Sequence, residues 1–410
     1  MAATILGQRL RIIGEHRVII DGDGHFIEPA AIWTEYLQPP FRERAQLKFD
    51  AQGHLLRVAL DELQLCTFDE TYRTKDRPWG PGDIFTPGGI KPGRVKGKPY
   101  EEADPGGWDG MARLAMHDAN GIDAAVIFPT FGMMTGLVKD QAFAEAACQA
   151  VNNWARDYAA AAPDEMYIVA SLPWQDPERA ARELRRAVKD LGFVAGAFMP
   201  IPAFDGRKVS HESLDPLWRT AVELNVPVCC HMAARSDLEL LGKTRASSFL
   251  TMHAAVHPLE GLMAFGSMYE GRVFDRFPKL RVGFMESTCG WVPFWTERLH
   301  EHWEQLNWTM NPPLPRSPGQ VFRDQCYVGC EGEEHMVPYV QNLFGENKII
   351  WATDFPHFDT EPPFAKDMLE RDDMTASQRD GVMARAAIEF YRLDVERIRR
   401  SHAARGHHGA

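Results

Sequence analysis

The chain has no run approaching 18 uncharged apolar residues, so a membrane-crossing helix is not expected. Met1 to Leu10 hold no apolar core long enough for a signal peptide. Cysteine is sparse: Cys66, Cys148, Cys229, Cys230, Cys289, Cys326 and Cys330 are odd in number and show neither CxxC spacing nor a regular framework. That sets aside a disulfide scaffold and leads to the expectation of reduced thiols in a cytoplasmic protein. Positive charge is in deficit as well. Forty-five Lys plus Arg against 57 Asp plus Glu leave a net charge of −12, which repels phosphate backbones and anionic lipid alike, so neither nucleic acid nor membrane is an expected partner. No compositional extreme remains to be explained, because 45% hydrophobic, 25% charged and 10% aromatic residues are ordinary globular values. At 410 residues the chain is long enough for several domains, or for one eightfold α/β barrel with insertions.

What is present is an alternation of short β-rich runs with helical segments, the pattern of a parallel sheet. The runs are Val18 to Ile20 continuing into Asp21–His25, then Ala124 to Phe128, Tyr167 to Ala170 and Phe193 to Met199. Val226 to Cys230, Leu280 to Met285, Cys326 to Cys330 and Ile349 to Ala352 complete the set. Eight is the barrel number, and the reading is one α/β domain over residues 1–410, a distorted (β/α)8 TIM barrel. Asp176-Pro177 opens a helix through Leu191 that Gly192 closes, and Asp140 caps another through Tyr158. From 29 to 107 the alternation stops, leaving a hairpin around Asp50 to Gly53 and a Gly/Pro-rich run from Pro78 to Gly107. This stretch reads as a cap-like insertion after the first strand, folded over the barrel mouth. The basic, histidine-rich tail, 397–410, is expected to be frayed.

Chemistry is concentrated at strand ends. Asp23-Gly24-His25 closes the first run, and residues two apart on a strand share a face, so an oxygen and an imidazole nitrogen enter the barrel together. Asp21 shares that face by the same count, but deeper. His231 follows the fifth run directly and Asp354 ends the eighth, so four donors converge on one mouth: Asp23, His25, His231 and Asp354. Two nitrogens and two oxygens suit a single divalent metal, Zn2+ first, with Mn2+, Fe2+ or Co2+ also acceptable. Around them, His357 reads as a proton relay or substrate-orienting group. Arg235 reads as an anchor for a substrate carboxylate, His253 and His257 as substrate contacts ahead of a helix, and Trp79 as an aromatic cover, as Trp108 could also be. Glu28 either points into the mouth or caps the turn at Pro29. His300 and His302 are two apart on a helix, do not face each other, and are discarded.

Asp23-Gly24-His25-Phe26-Ile27-Glu28-Pro29, Phe277-Pro278-Lys279-Leu280-Arg281-Val282 and Trp351-Ala352-Thr353-Asp354-Phe355-Pro356-His357 resemble the signature segments of the amidohydrolase-related family that includes aminocarboxymuconate-semialdehyde and resorcylate decarboxylases. The resemblance spans nearly the whole chain. It implies a distorted (β/α)8 barrel, a mononuclear divalent centre held by the same four residues, a small-molecule substrate and a homodimer. Two departures stand out. Many relatives carry His-x-His where Asp23 begins the motif, and decarboxylase relatives present a histidine on the sixth strand where this chain has Glu286.

That missing histidine tilts the expectation to hydrolysis of a small amide, heterocyclic or ring-cleavage substrate by a metal-activated water. Asp354 would serve as base and then acid, with Glu286 assisting from the opposite wall. The second expectation is metal-dependent nonoxidative decarboxylation of a small aromatic or muconate-type acid.

Overall fold

The computed structural model describes residues 18–68, 75, 77–201, 204–232 and 240–405. Eight parallel strands form one sheet, ordered β1 (Ile20–Phe26), β5 (Ala124–Pro129), β6 (Met166–Ala170), β7 (Ala195–Phe198), β8 (Val228–Cys230), β9 (Val282–Phe284), β10 (Cys326–Cys330) and β11 (Ile349–Trp351). Every expected strand run is present. The two ends of the sheet meet at the C-terminal rim, where His25 N donates to Phe355 O at 2.6 Å and Asp354 N donates to Asp23 O at 3.1 Å. The result is a nearly closed barrel surrounded by helices, the expected (β/α)8 architecture.

The strands are buried on both faces, as all-parallel sheets are, and alternate residues serve two cores. Ile20, Val126, Phe128, Val169, Ala197, Cys229 and Ile350 fill the barrel. Ala125, Ile127, Ile168, Phe198, Cys230 and Phe284 pack outward against helices. The adjacent cysteines thus divide between the two, as strand alternation requires. Phe390 and Tyr391 enter the interior cluster from below. Tyr391 donates its hydroxyl proton to Gly22 O at 2.8 Å, and Arg281, at the start of β9, bonds Phe390 O at 3.0 Å.

Asp21 departs from the sequence reading. The register of β1 against β5 slips between Asp21 and Gly24, where three steps on β1 oppose two on β5. This bulge resets the alternation. Asp21 turns outward to Thr353 (N at 2.9 Å, Oγ1 at 2.6 Å), with the fully buried Arg113 at 3.6 Å, whereas His25 faces in beside Phe128. Counting by twos fails across a bulge, so Asp21 is no deeper member of the Asp23–His25 face.

The helices begin where capping chemistry places them. Their labels here are α1 (Gly110–Asn120), α2 (Gln141–Ala159), α3 (Pro177–Asp190), α4 (Asp215–Leu224), α5 (Phe249–Glu270), α6 (Trp291–Leu306), α7 (Pro318–Gln325), α8 (Val337–Phe344), α9 (Ala386–Tyr391) and α10 (Val395–Ala404). Asp140 accepts from Ala142 N and Phe143 N at the head of α2, and Asp176 accepts from Arg179 N at the head of α3. Gly192, at φ +77°, turns the chain out of α3 in a conformation that side chains resist. None of the described helices is long and apolar enough to cross a membrane. His253 and His257 lie within α5, not ahead of it: Ser248 caps this helix by accepting from Thr251 N, so it starts at Phe249.

Residues 45–67 hold more than the expected hairpin. β2 (Ala45–Phe49), β3 (Leu55–Leu60) and β4 (Leu63–Thr67) form a three-stranded antiparallel sheet. Asp50 accepts from Gln52 N and His54 N in the first turn. The Gly/Pro-rich run is organised by one buried carboxylate, Asp83, which accepts from the backbone of Gly80, Lys96 and Gly97.

The tail also differs from expectation. Arg397 to Arg405 are not frayed: 397–404 lie in α10, whose Ile398 is fully buried. His402 Nε2 stands 3.1 Å from Glu165, and Arg405 pairs with Glu165 and Asp118. The basic composition that suggested solvation is matched by acidic groups at the foot of the barrel. Residues 406–410 lie outside the described part.

Candidate metal centre

The C-terminal rim brings all four expected donors together. Asp23 Oδ1 lies 3.7 Å from His25 Nε2 and 3.6 Å from His231 Nε2, and His25 Nε2 lies 3.3 Å from Asp354 Oδ1. Two ligands about 2.1 Å from a shared tetrahedral ion stand about 3.4 Å apart, so the Asp23, His25 and His231 spacings match a common ion, with Asp354 beside His25 at its edge. Asp23, His25, His231 and Asp354 are each at most 3% exposed. Asp23 Oδ1, His25 Nε2 and His231 Nε2 nonetheless have no hydrogen-bond partner. Burying such atoms unpaired is costly, and a cation satisfies all of them at once. His231 Nδ1 is held at 2.9 Å by Met232 O, which fixes the tautomer that leaves Nε2 its lone pair. The residues therefore fit a divalent metal.

Electrostatics point the same way. Burial, reinforced by the charges of Glu286, Asp359, Glu331 and Asp23, pushes the Asp354 carboxyl well above its ordinary range. Burial likewise raises Asp23 to about 6. Burial opposes a charged His231, but Asp23 and Glu286 outweigh it and lift the ring to about 9. Buried carboxyls held above their ordinary range beside further acidic groups form a site that attracts positive charge. Three residues here adopt left-handed backbone without being glycine: Glu286 (φ 48°), Thr288 (φ 54°) and Asp354 (φ 49°). Such strain, about 1–3 kcal/mol each, clusters at functional sites.

Above the donors opens a cavity of about 410 Å³. His25, His231, Glu286, Asp354 and His357 line its floor, and Phe85, Phe131, Trp79, Phe249 and Phe358 line its walls. Gln64 to Phe68, Arg77 and Trp79, from the stretch expected to cover the mouth, also line it.

The remaining expected site residues separate clearly. His357 Nδ1 stands 2.8 Å from Asp354 Oδ1, its ring lies 4.5 Å from that of His25, and its Nε2 is 3.3 Å from Thr130 Oγ1. Glu286 bridges two histidines, with Oε2 at 3.3 Å from His231 Nε2 and Oε1 at 2.9 Å from His257 Nδ1. Burial would raise Glu286, but His257 and His231 hold it well below its ordinary value. Trp79 lines the cavity with its ring 5.4 Å from Phe249. Glu28 does not reach the cavity: its buried carboxylate accepts from Phe131 N at 2.9 Å and Gly132 N at 2.7 Å. Expected as a substrate contact, it instead fixes the loop that presents Phe131, because two converging backbone N–H groups outcompete the open mouth for its oxygens. Arg235 lies outside the described residues.

Thr130, Phe131, Met133 and Met134 also line the cavity and were not singled out from sequence. Their position directly after the second strand run was the available signal. Asp359 is a further carboxylate on the lining.

A (β/α)8 barrel with a nitrogen–oxygen donor set at its C-terminal rim is the class that fold and site define. The amidohydrolase family profile matches residues 20–393, and the chain belongs to that family; it is an enzyme of the amidohydrolase superfamily. Among curated relatives, 2-amino-3-carboxymuconate-6-semialdehyde decarboxylase of Dictyostelium discoideum is 26% identical, over 73% of this chain and 81% of its own. Gamma-resorcylate decarboxylase of Polaromonas sp. is also 26% identical, over 69% of this chain and 87% of its own. Among solved structures, an amidohydrolase from Mycobacterium avium subsp. paratuberculosis superposes with TM-score 0.74 at 22% identity, covering 92% of this chain and 99% of its own. A dihydroxybenzoic acid decarboxylase from Polaromonas sp., solved with manganese and 2-nitroresorcinol, gives 0.61 at 17% identity, covering 92% and 97%.

Proposed function

We propose that the protein is a metal-dependent nonoxidative decarboxylase of a small aromatic or muconate-type acid bearing a hydroxyl or amino group beside the carboxylate. This revises the first expectation, hydrolysis, in favour of the second. The observation that carries the reading is a floor of unpartnered nitrogen and oxygen donors beneath a cavity walled by aromatic rings. The decarboxylase relatives support it. The argument for hydrolysis was the glutamate standing where decarboxylases have a histidine. His257 brings an imidazole to 2.9 Å from that glutamate from α5, so the site does not lack the group that β9 lacks.

Asp23, His25, His231 and Asp354 would hold the ion. Once bound, it supplies the positive charge that gathers the substrate carboxylate and its neighbouring heteroatom and stabilises electron density left by the departing CO2. Phe85, Phe131 and Trp79 receive a flat ring and exclude water. As the C–C bond to the carboxylate breaks, the vacated carbon takes a proton and CO2 leaves. Asp354 stands on the cavity floor with Oδ2 unpartnered and is the group placed to give that proton. His357, 2.8 Å from the other oxygen of Asp354, returns it. Thr130 holds His357 in that orientation.

The test is an assay of CO2 release from 2,6-dihydroxybenzoate, related ortho-hydroxybenzoates and amino-carboxymuconate analogues, run in D2O and separately in H2(18)O. The expected product carries deuterium at the vacated carbon and no new 18O, and activity is lost on chelation and restored by Mn2+ or Zn2+. Product containing 18O, with no CO2, would return the site to hydrolysis.

A further inference from the structure

We propose that the acid this cavity takes carries a second aromatic ring: its carboxylate end sits at the metal donors, and its far ring lies between the start of α5 and the end of β4. The inference rests on the decarboxylase reading and narrows its substrate class to two-ring aromatic acids.

An apolar cavity of about 150 Å³ already encloses benzene. This one is about 410 Å³, well beyond a single ring with its carboxylate. Length points the same way as volume. His257, His253 and Phe249 line the cavity at four-residue intervals along α5, with successive ring centroids 5.0 Å and 5.2 Å apart. Eight residues of helix rise about 12 Å. Trp79 continues the row, its ring 5.4 Å from that of Phe249. The row begins at the floor, where His257 Nδ1 stands 2.9 Å from Glu286 Oε1. A hydroxybenzoate is roughly 7 Å long by ordinary bond lengths, so one seated on the floor leaves the upper part of the row uncovered.

A second row rises from His357, whose Nδ1 is 2.8 Å from Asp354. The ring of Phe85 lies 5.7 Å from His357, and that of Phe68, directly after β4, lies 6.4 Å from Phe85. Both rows therefore carry π surface past the point where a first ring ends. Flat faces of this kind suit another flat ring, which brings large contact area with few torsions to freeze. A flexible aliphatic tail would lose more rotational freedom for the same area.

The upper end also holds one polar atom without a partner. Thr67 lies on the cavity lining beside Phe68, and its buried Oγ1 makes no hydrogen bond. A hydroxyl on the far ring satisfies it, and an unsubstituted ring leaves it unpaired.

The experiment compares four ligands on the Mn2+-loaded, full-length protein, reading Kd by calorimetry and CO2 release in parallel. They are salicylate and its 4-phenyl, 4-(4-hydroxyphenyl) and 4-hexyl derivatives, in which the added group extends along the axis of the carboxylate. The 4-phenyl acid should bind about 10- to 100-fold more tightly than salicylate, as burial of a further ring dictates. The distal hydroxyl should add about fivefold, a gain that Thr67→Val removes. Phe249→Ala should shrink the two-ring to one-ring preference about fivefold. Equal affinity for salicylate and the 4-phenyl acid, exclusion of the larger ligand, or a hexyl derivative that binds as well as the phenyl one would overturn the second ring. CO2 release from salicylate in those cases would leave the decarboxylase reading standing. Tight two-ring binding without CO2 release from any of the four would support the second-ring site and count against decarboxylation.

Discussion

Gly24 is where one methyl group tests how the metal-binding strand is held. A Cβ built there lies 2.3 Å from Arg113 Nη2 and 2.6 Å from Asp21 Oδ2, against about 3.4 Å for an ordinary contact, so Gly24→Ala must move the guanidinium by about 1 Å. Arg113 has nowhere to go. It is fully buried, donates from Nη1 to His25 O at 2.8 Å and from Nε to His117 Nε2 at 2.9 Å, and lies 4.5 Å over the ring of Phe355. Overpacking costs about 1–3 kcal/mol, and losing a charge-assisted bond to a buried carbonyl about 1.5–3 kcal/mol, so about 4 kcal/mol is expected in total. At about 2.1 cal/mol/K per residue, 410 residues unfolding together have an entropy near 0.9 kcal/mol/K, so the melting temperature should fall by about 5 °C. Because the carbonyl released belongs to His25, Mn2+ affinity should fall with it. The assay is urea and thermal unfolding of Gly24→Ala, Arg113→Met and the double variant, with metal titration of each. Arg113→Met alone should cost about 3–5 kcal/mol by leaving Asp21 buried without its cation. Adding Gly24→Ala to it should cost at least about 1 kcal/mol less than in the native background, since the group it collides with is gone. A single-variant cost below about 1 kcal/mol, or strictly additive costs, would refute the reasoning.

Two further outcomes follow from groups away from the donors. Burial raises Glu28 from 4.5 to about 7, so between those values the folded chain binds more protons than the unfolded one, and stability falls as pH rises through that window, by about 3 kcal/mol in full. Glu28→Gln should flatten this part of the stability–pH curve measured by urea denaturation, and an unchanged slope would remove Glu28 as its source. At the foot of the barrel, Arg405→Ala leaves the buried Glu165 with His402 as its remaining described cationic partner. It should destabilise by about 1–3 kcal/mol and expose α10 to limited proteolysis; cleavage no faster than in the unsubstituted protein would show that α10 docks through Ile398 instead.

The eight strand runs were legible because a strand buried on both faces is continuously apolar, and Asp23, His25, His231 and Asp354 were legible because each stands where such a run ends. Buried parallel strands and rim-facing donors are local facts, written into consecutive residues. Asp21 was misread because period-two counting assumes an unbroken ladder, and the bulge in β1 is fixed by pairing with β5, more than a hundred residues away. Glu28 was misplaced for a similar reason: its carboxylate is claimed by the backbone at Phe131 and Gly132, which adjacency in sequence does not reveal. His253 and His257 were read as substrate contacts ahead of a helix; that they lie within α5, with His257 against Glu286, depends on where that helix starts and docks. The tail looked unstructured because its partners, Asp118, Asp123 and Glu165, are acidic groups 240 or more residues earlier in the chain. The sequence by itself determined the barrel and the rim positions of the four residues proposed as donors, since those follow from short-range pattern and the geometry of parallel strands. Only the tertiary structure decided which oxygens and nitrogens face one another, because that depends on register, helix docking and competition for buried hydrogen bonds between residues far apart in the chain.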